Sequence, residues 1–395
     1  MDFNLTEEQK ALKKEFEDYF SEEMKKAPKE YIESGPYDTD EGFAFHKYMA
    51  QDMGKRGWLT RPWPKEYGGV DAPHMEQAIF NEVRAVYNAP GIDIWGLEMI
   101  GPTILLGGTD EQKARLLPPI AKGEVQYCQG WSEPDAGSDL ASLKMLAIKD
   151  GDHYVVNGQK IWTTAAHKAD HIFLLVRTDP DSERSRGLSI MVTPMDIEGI
   201  EVRPIQNLDL GHHFNEVFFK DVRIHKDNLI GPEHEGWALT RQTMNFERSG
   251  SNYFEPAKIR LRSIIEYAKK TKRDGKYLSE NPVIRQKLAK LYTDIQAGIA
   301  LGNKILYLQE SGGLAMEATL PSEGKVYSTE LSQRMGNVAT EIMGLYGQIY
   351  RSEWAPLEGI LGLYTGAPGN NIAAGSSEIQ RNLIAWAGLK LPRFK

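Results

Sequence analysis

The sequence predicts an α+β protein in which a helical segment, a β-segment and a second helical segment follow one another. Three observations carry this reading. Apolar residues at helical spacing, opened by capping boxes, fill residues 1–125; short β-branched and aromatic runs between turns fill 126–232; helical spacing returns over 233–395. In the first segment Thr6 and Gln9 make a capping-box start, and Leu12, Phe16, Tyr19 and Phe20 repeat behind it on one face. Residues 61–69 carry two prolines and two glycines and read as a loop. A second capping box, Thr109 to Gln112, opens a helix expected to end before Pro118-Pro119. The β-runs are Tyr154–Val156, Ile172–Val176, Leu188–Val192, Glu201–Pro204 and Val217–Phe219, which predict a compact antiparallel domain. After Gly231-Pro232, the residues Ile284, Leu288, Leu291, Ile295 and Ile299 mark one long buried helical face.

Composition narrows the class. A chain of 395 residues buries a large core and divides into two or three domains. Hydrophobic content of 41% and charge of 26% are those of an ordinary globular protein. A net charge of −8 argues against general nucleic-acid binding, which needs a basic field. The single cysteine, Cys128, excludes an internal disulfide and argues against a cysteine metal site. It ends the short Val125–Cys128 run and reads as a small buried hydrophobe. No run approaches a membrane span, and the acidic, amphipathic start is unlike a signal peptide. The chain reads as intracellular, in a bacterial cytoplasm or, after processing, a mitochondrial matrix.

Two segments carry chemistry. Gln129-Gly-Trp-Ser-Glu-Pro-Asp-Ala-Gly-Ser-Asp139 is a polar turn after an apolar run, with Pro134 fixing the backbone and Gly137 freeing it. It offers the hydroxyls of Ser132 and Ser138 and a set of backbone N–H groups to an acceptor-rich ligand. Asn157-Gly-Gln-Lys-Ile-Trp-Thr-Thr164 places Trp162, Thr163 and Thr164 at a strand end, an aromatic plate beside two hydrogen-bonding groups. A planar polar heterocycle such as a flavin needs that combination. His212-His213 has no third ligand spaced to hold a metal and reads as a turn.

At this spacing, flanked by Tyr154–Val156 and Ile172–Val176, the two segments closely resemble the acyl-CoA dehydrogenase flavoproteins. The likeness extends to Trp63-Pro-Lys-Glu-Tyr-Gly-Gly69 and to Ala373-Ala-Gly-Ser-Ser-Glu-Ile-Gln-Arg381, and so covers essentially the whole chain. It implies a helical domain over 1–125, a β-barrel-like antiparallel domain over 126–232 and a four-helix bundle over 233–395. It implies FAD, held by Gln129, Trp131, Ser132, Gly137, Ser138, Trp162, Thr163, Thr164, Ser376 and Glu378. It further implies α,β-dehydrogenation of an acyl-CoA to the trans-2-enoyl-CoA, the β-hydride passing to flavin N5 and the electrons then to an electron-transfer flavoprotein.

Two departures from the family pattern matter. Where the family commonly has Tyr-Glu-Gly-Thr-Ser this chain has Ala373-Ala374-Gly375-Ser376-Ser377, so the usual base position holds Ala374. Its backbone N–H still serves the thioester carbonyl, but its side chain takes no proton. Members resembling the isovaleryl-CoA type carry the base on a helix just before an arginine, which here gives Glu247 as base and Arg248 as a substrate contact beside Ser138. Glu133 and Glu378, inside flavin motifs, compete less well for the role of base. The second departure concerns the subunit clamp on the flavin diphosphate. The family's Arg-x-x-Phe-Gly and Gln-x-x-Gly-Gly segments correspond to Thr271-Lys-Arg-Asp-Gly275 and Glu341-Ile-Met-Gly-Leu345, which lack the arginine, phenylalanine, glutamine and second glycine. Either Lys272 or Arg273 substitutes in a homotetramer, or a homologous partner supplies the clamp in an α2β2 heterotetramer. Two other functions fit the same motifs: an oxidase or flavin monooxygenase on this fold, and a non-catalytic partner subunit.

Overall fold

A computed structural model describes residues 5–208, 211–247, 254–313, 317, 319–350, 352, 354–355, 357 and 360–393, with backbone alone at 244–247 and 255. The element order is helical, then β, then helical, as expected. Helices α1 (Glu7–Glu23), α2 (Lys29–Ser34), α3 (Asp40–Lys55), α4 (His74–Val86), α5 (Gly101–Gly107) and α6 (Asp110–Ala121) come first, a π-helical turn at Trp95–Ile100 leading into α5. Both capping boxes form: Thr6 with Gln9 starts α1, and Thr109 with Gln112 starts α6. Helix α6 does not stop before Pro118 but runs through both prolines to Ala121. Proline already has a helical φ; each one forfeits its own N–H donor and crowds the carbonyl four residues back, and the last turn of α6 accommodates both costs. The proline carbonyls stay in use, accepting from Lys122 N and Glu124 N at 3.0 Å each.

The strands are β1 (Tyr127–Gly130), β2 (Leu146–Asp150), β3 (His153–Lys160), β4 (His171–Arg177), β5 (Leu188–Pro194), β6 (Ile200–Ile205), β7 (Phe214–His225) and β8 (Leu229–Ile230). They form one 8-stranded sheet in the order β6-β7-β3-β2-β4-β5-β8, with β1 also on β4. The sheet is mixed, which corrects the wholly antiparallel expectation. β1 runs parallel to β4, Tyr127 facing His171, and β2 meets β4 in parallel at Leu146 and Arg177. A parallel partner requires a long crossover, and here the β2–β3 hairpin lies within it. A bulge at Asp221 (φ 53) shifts the β3–β7 register, and Asn157 stitches it by accepting from Asp221 N at 2.8 Å.

The remaining helices are α7 (Gly236–Glu247), α8 (Phe254–Lys270), α9 (Pro282–Glu310), α10 (Leu320–Met343), α11 (Ile360–Ile372) and α12 (Ser377–Leu383), with a two-residue-strand hairpin, β9 (Lys272–Arg273) and β10 (Lys276–Tyr277), after α8. The chain packs as two compact units. One comprises residues 25–73 and 90–247, the other residues 1–24, 74–89 and 248–395. In the first, Cys128, Ala147, Val156, Ile172, Leu174 and Val217 form the core between the strands. In the second, α8, α9 and α10 bury Leu261, Ile264, Leu288, Leu291, Ile295, Leu331 and Met335 together, and Phe16 of α1 meets Phe80 of α4 edge-on at 5.2 Å. Among the described residues no helix is long and apolar enough to cross a membrane.

Candidate active site

Strand β1 delivers the first motif. Gly130 ends it without a side chain; a Cβ there would lie 2.6 Å from Leu174 Cδ2 and 2.8 Å from Ile172 Cδ1, so these buried side-chain tips would have to shift. Trp131 is buried edge-on to Phe173 at 5.5 Å, and backbone bonds of 3.0 Å in both directions between Glu133 and Ala136 close the Pro134-Asp135 turn. The Glu133 carboxylate points into the protein. It accepts from Lys144 N at 2.7 Å, from Met145 N at 2.9 Å and from Lys160 Nζ at 2.9 Å. Lys160, fully buried in β3, gives its other two hydrogens to Trp131 O at 3.0 Å and Leu175 O at 2.7 Å. Burial pulls its pKa down to about 8, against the opposing pull of Glu133. Glu133 is thus committed to a buried ion pair and is no free base.

This pair orients the motif. With Trp131 O drawn toward Lys160, the N–H of Ser132 on the same trans peptide points the opposite way. The next carbonyl, Ser132 O, accepts from Ile161 N at 3.0 Å, so the two motifs are tied to each other at Ser132. Buried Arg177 donates to the carbonyls of Ala141 and Leu143 and steadies the chain beyond Ser138. Gly137 and Ser138 are exposed, and Gln129 and Ser132 are half-buried.

The second motif leaves β3 through two strained residues, Trp162 (φ 60) and Ala165 (φ 57), in a left-handed region that non-glycine residues seldom occupy. Contacts with 211–215 hold them there. Thr163 N donates to Asn215 O at 3.0 Å, Asn215 Nδ2 to Thr163 O at 3.0 Å, and Ala165 N to His213 O at 2.8 Å. Trp162 stays 56% exposed, its ring edge-on to Phe214 at 6.0 Å, as a plate for a ligand would be. Thr164 is half-buried beside it. Two polar atoms test the fit of a flavin. Trp131 Nε1 and Thr163 Oγ1 are buried without a partner, one in each motif. An unpaired buried donor costs about 1–3 kcal/mol, so both suit a ligand bearing acceptors.

Glu247 ends α7, in the same compact unit as these motifs; its side chain, and all of Arg248, lie outside the described residues. The helix is pinned four residues earlier, where Thr243 Oγ1 meets Thr103 Oγ1 of α5 at 2.6 Å with both side chains buried. Ala374, Ser376 and Glu378 belong to the other unit. Ala374 (φ 54) and Gly375 (φ 81) turn the chain between α11 and α12, and buried Gln380 donates to their carbonyls at 3.3 and 3.2 Å. Ser376 caps α12, accepting from Ile379 N at 3.3 Å. Glu378 is exposed, its carboxyl held below the usual range by its own backbone N–H and the Ser376 hydroxyl.

Lys160, Asn215, Thr103 and Thr243 were not singled out by sequence. Only Lys160 lay within a motif, and nothing in its neighbours signals burial. His212 stacks on His167 with centroids 4.1 Å apart and bonds to Asn215 at 2.8 Å. Cys128 is a buried thiol with its pKa pushed up by burial, its sulfur 3.9 Å from Met195 Sδ.

Fold and site define an FAD-dependent oxidoreductase. Models of the acyl-CoA dehydrogenase N-terminal, middle and C-terminal domains match residues 6–124, 128–222 and 234–389. Acyl-CoA dehydrogenase FadE26 of Mycobacterium tuberculosis is 33% identical over 401 residues, covering 100% of this chain and 99% of the relative. The ChsE4–ChsE5 complex from Mycobacterium tuberculosis contains a chain that superposes with TM-score 0.89 at 32% identity, covering 100% of both chains. The Tcur3481–Tcur3483 steroid ACAD gives TM-score 0.89 at 29% identity, again over 100% of both chains. The chain belongs to the acyl-CoA dehydrogenase family.

The buried pair predicts a coupled pattern of stability. Lys160→Met leaves Glu133 charged and unpaired, and should lower urea-unfolding stability by about 3–5 kcal/mol. Lys160→Met combined with Glu133→Gln should cost clearly less, because no lone charge remains. Equal losses for the single and double variants would contradict the coupling.

Proposed function

We propose that this chain is the catalytic subunit of an acyl-CoA dehydrogenase that takes the α-proton of its thioester substrate on Glu247. The observation that carries it is the pairing of Ala374 at the usual base position with Glu247 at the end of an anchored helix. Gln129, Trp131, Ser132, Gly137, Ser138, Trp162, Thr163, Thr164, Ser376 and Glu378 hold FAD; Ser138 and Arg248 hold the substrate. Bound FAD supplies the acceptor for the β-hydride, giving the trans-2-enoyl-CoA. An α-proton beside a thioester is too weak an acid for a carboxylate in water. The Ala374 N–H therefore donates to the thioester oxygen as negative charge builds there. A carboxylate in this role must also be desolvated, which raises its basicity. Segments 1–125, 126–232 and 233–395 serve as helical, β and bundle domains, and an electron-transfer flavoprotein is the acceptor.

We further propose a heterotetramer with a homologous chain. Its support is the fate of the cations at 271–275. Arg273 Nη2 donates to Ile342 O at 2.8 Å at the end of α10, and Lys272 lies over the Tyr277 ring at 4.7 Å. Each makes a contact within the protomer although both side chains are exposed, and neither stands at the family's arginine position, where a bidentate guanidinium is the usual diphosphate clamp. Two relatives are named as pairs of chains, ChsE4–ChsE5 and Tcur3481–Tcur3483, and the second as a steroid enzyme. A bulky, steroid-like acyl group is the substrate class that follows.

Glu247→Gln should retain flavin and acyl-CoA binding while turnover falls at least about 10²–10⁴-fold. Anaerobic bleaching of the flavin by a panel of acyl-CoAs measures this, and near-normal bleaching in the variant would place the base elsewhere. Native mass measurement with a flavin count should give two kinds of chain and about one FAD per pair. A stable homotetramer with FAD tightly held in every chain would contradict the heteromer.

A further inference from the structure

The turn carrying Trp162, Thr163 and Thr164 is held from behind by a histidine whose hydrogen bonds admit one protonation state. Asn215 Nδ2 has two hydrogens; one goes to Thr163 O at 3.0 Å and the other to His167 Nδ1 at 3.3 Å. Asn215 Oδ1 is taken by His212 Nε2 at 2.8 Å. On the far side of its ring, His167 Nε2 donates to Tyr37 O at 3.0 Å. Its Nδ1 must therefore accept, and the ring is neutral.

A proton on Nδ1 would set N–H against N–H. Turning the Asn215 amide over does not relieve this, because Oδ1 would then face the Thr163 carbonyl. Nor does the ring have water to spread its charge into on its stacked face, since His212 lies parallel at 4.1 Å and 16°. The charged neighbours are balanced. Asp38 accepts from His212 N at 3.0 Å and lies 4.0 Å from His213 Nδ1, and Lys168 is paired with Asp40 at 2.5 Å. Asp38 favours the proton; His212 and Lys168 oppose it.

We propose that His167 is a positioning residue for the flavin-side turn, and that protonating its Nδ1 frees Asn215 from Thr163 and loosens the hold on FAD. The proposal rests on the reading that Trp162–Thr164 touch the flavin. Burial, the largest influence, moves the His167 pKa below its ordinary 6.5. The unfolded chain then binds the proton more tightly. The stabilisation is complete above the ordinary value and is lost as pH falls below it.

The experiment measures FAD affinity by flavin fluorescence, from about pH 5 to 8, for the full-length flavin-free protein and its His167→Gln variant. Glutamine can accept from Asn215 and donate to Tyr37 O, but it does not titrate. The parent protein should lose FAD affinity roughly tenfold on acidification, the weight of one buried hydrogen bond, while His167→Gln stays flat. A flat parent profile, or an equal fall in the variant, overturns the proposal. Should His167→Gln fail to fold, ¹⁵N-histidine spectra of the parent decide: an Nε2–H tautomer titrating below 6.5 supports it, and an Nδ1–H tautomer or titration at 6.5 overturns it. Trp162→Ala and Thr164→Ala at neutral pH separate the two readings. FAD affinity lost in these variants, with a flat parent profile, overturns the histidine role alone; affinity indifferent to both removes the flavin contact itself.

Discussion

A buried lysine–glutamate pair is the constraint on which the rest of the site depends. Lys160 and Glu133 lie 2.9 Å apart with almost no solvent access, which is favourable only where every remaining hydrogen and lone pair is used. Here the lysine gives all three hydrogens and the carboxylate accepts three. Those partners are the peptide of Trp131, the edge of β4 at Leu175, and the chain at Lys144 and Met145. One ion pair thus joins β3, β4, the first motif at Trp131 and Glu133, and the chain beyond it at Lys144 and Met145. Ser132 is the point where this becomes chemistry, since its peptide is oriented by Lys160 on one side and by Ile161 on the other.

Left-handed backbone at non-glycine residues recurs in the motif turns of both units. Trp162 and Ala165 in the flavin-side turn, and Ala374 in the C-terminal turn, all hold left-handed backbone without being glycine. Each is fixed by a buried amide: Asn215 for the first turn and Gln380 for the second. The common logic is a side-chain amide imitating a strand partner where no strand exists. It leaves backbone N–H groups and ring faces displayed to a ligand at the cost of about 1–3 kcal/mol per strained residue.

Local signals were the legible ones. Both capping boxes, the apolar face of α9 and five of the strands followed from residues a few positions apart. The flavin motifs were legible because they are contiguous. Non-local pairing was not. Nothing in Tyr127–Gly130 announces that it lies parallel to β4, and Leu146-Ala-Ile-Lys-Asp150 is too charged and too exposed to read as a strand. The β9–β10 hairpin carried a local signal that went unread, the Asp274-Gly275 turn with both residues left-handed. Pro118 misled because proline's φ is already helical: the two prolines forfeit their own i→i−4 bonds, yet their carbonyls stay paired with Lys122 N and Glu124 N. Lys160 and His167 look like surface residues by type; only the fold buries the first and half-buries the second.

Hydrogen exchange in the flavin-free protein is the most direct measurement of whether this scaffold is built before the cofactor arrives. A preformed site predicts that Ile161, Thr163 and Ala165 amides, bonded to Ser132, Asn215 and His213, exchange slowly without FAD, while the Ser132 amide becomes protected only on FAD addition. Exchange of the first three at the rate of unstructured chain until FAD binds would contradict it, and would make the flavin, not the buried ion pair, the organiser of the site.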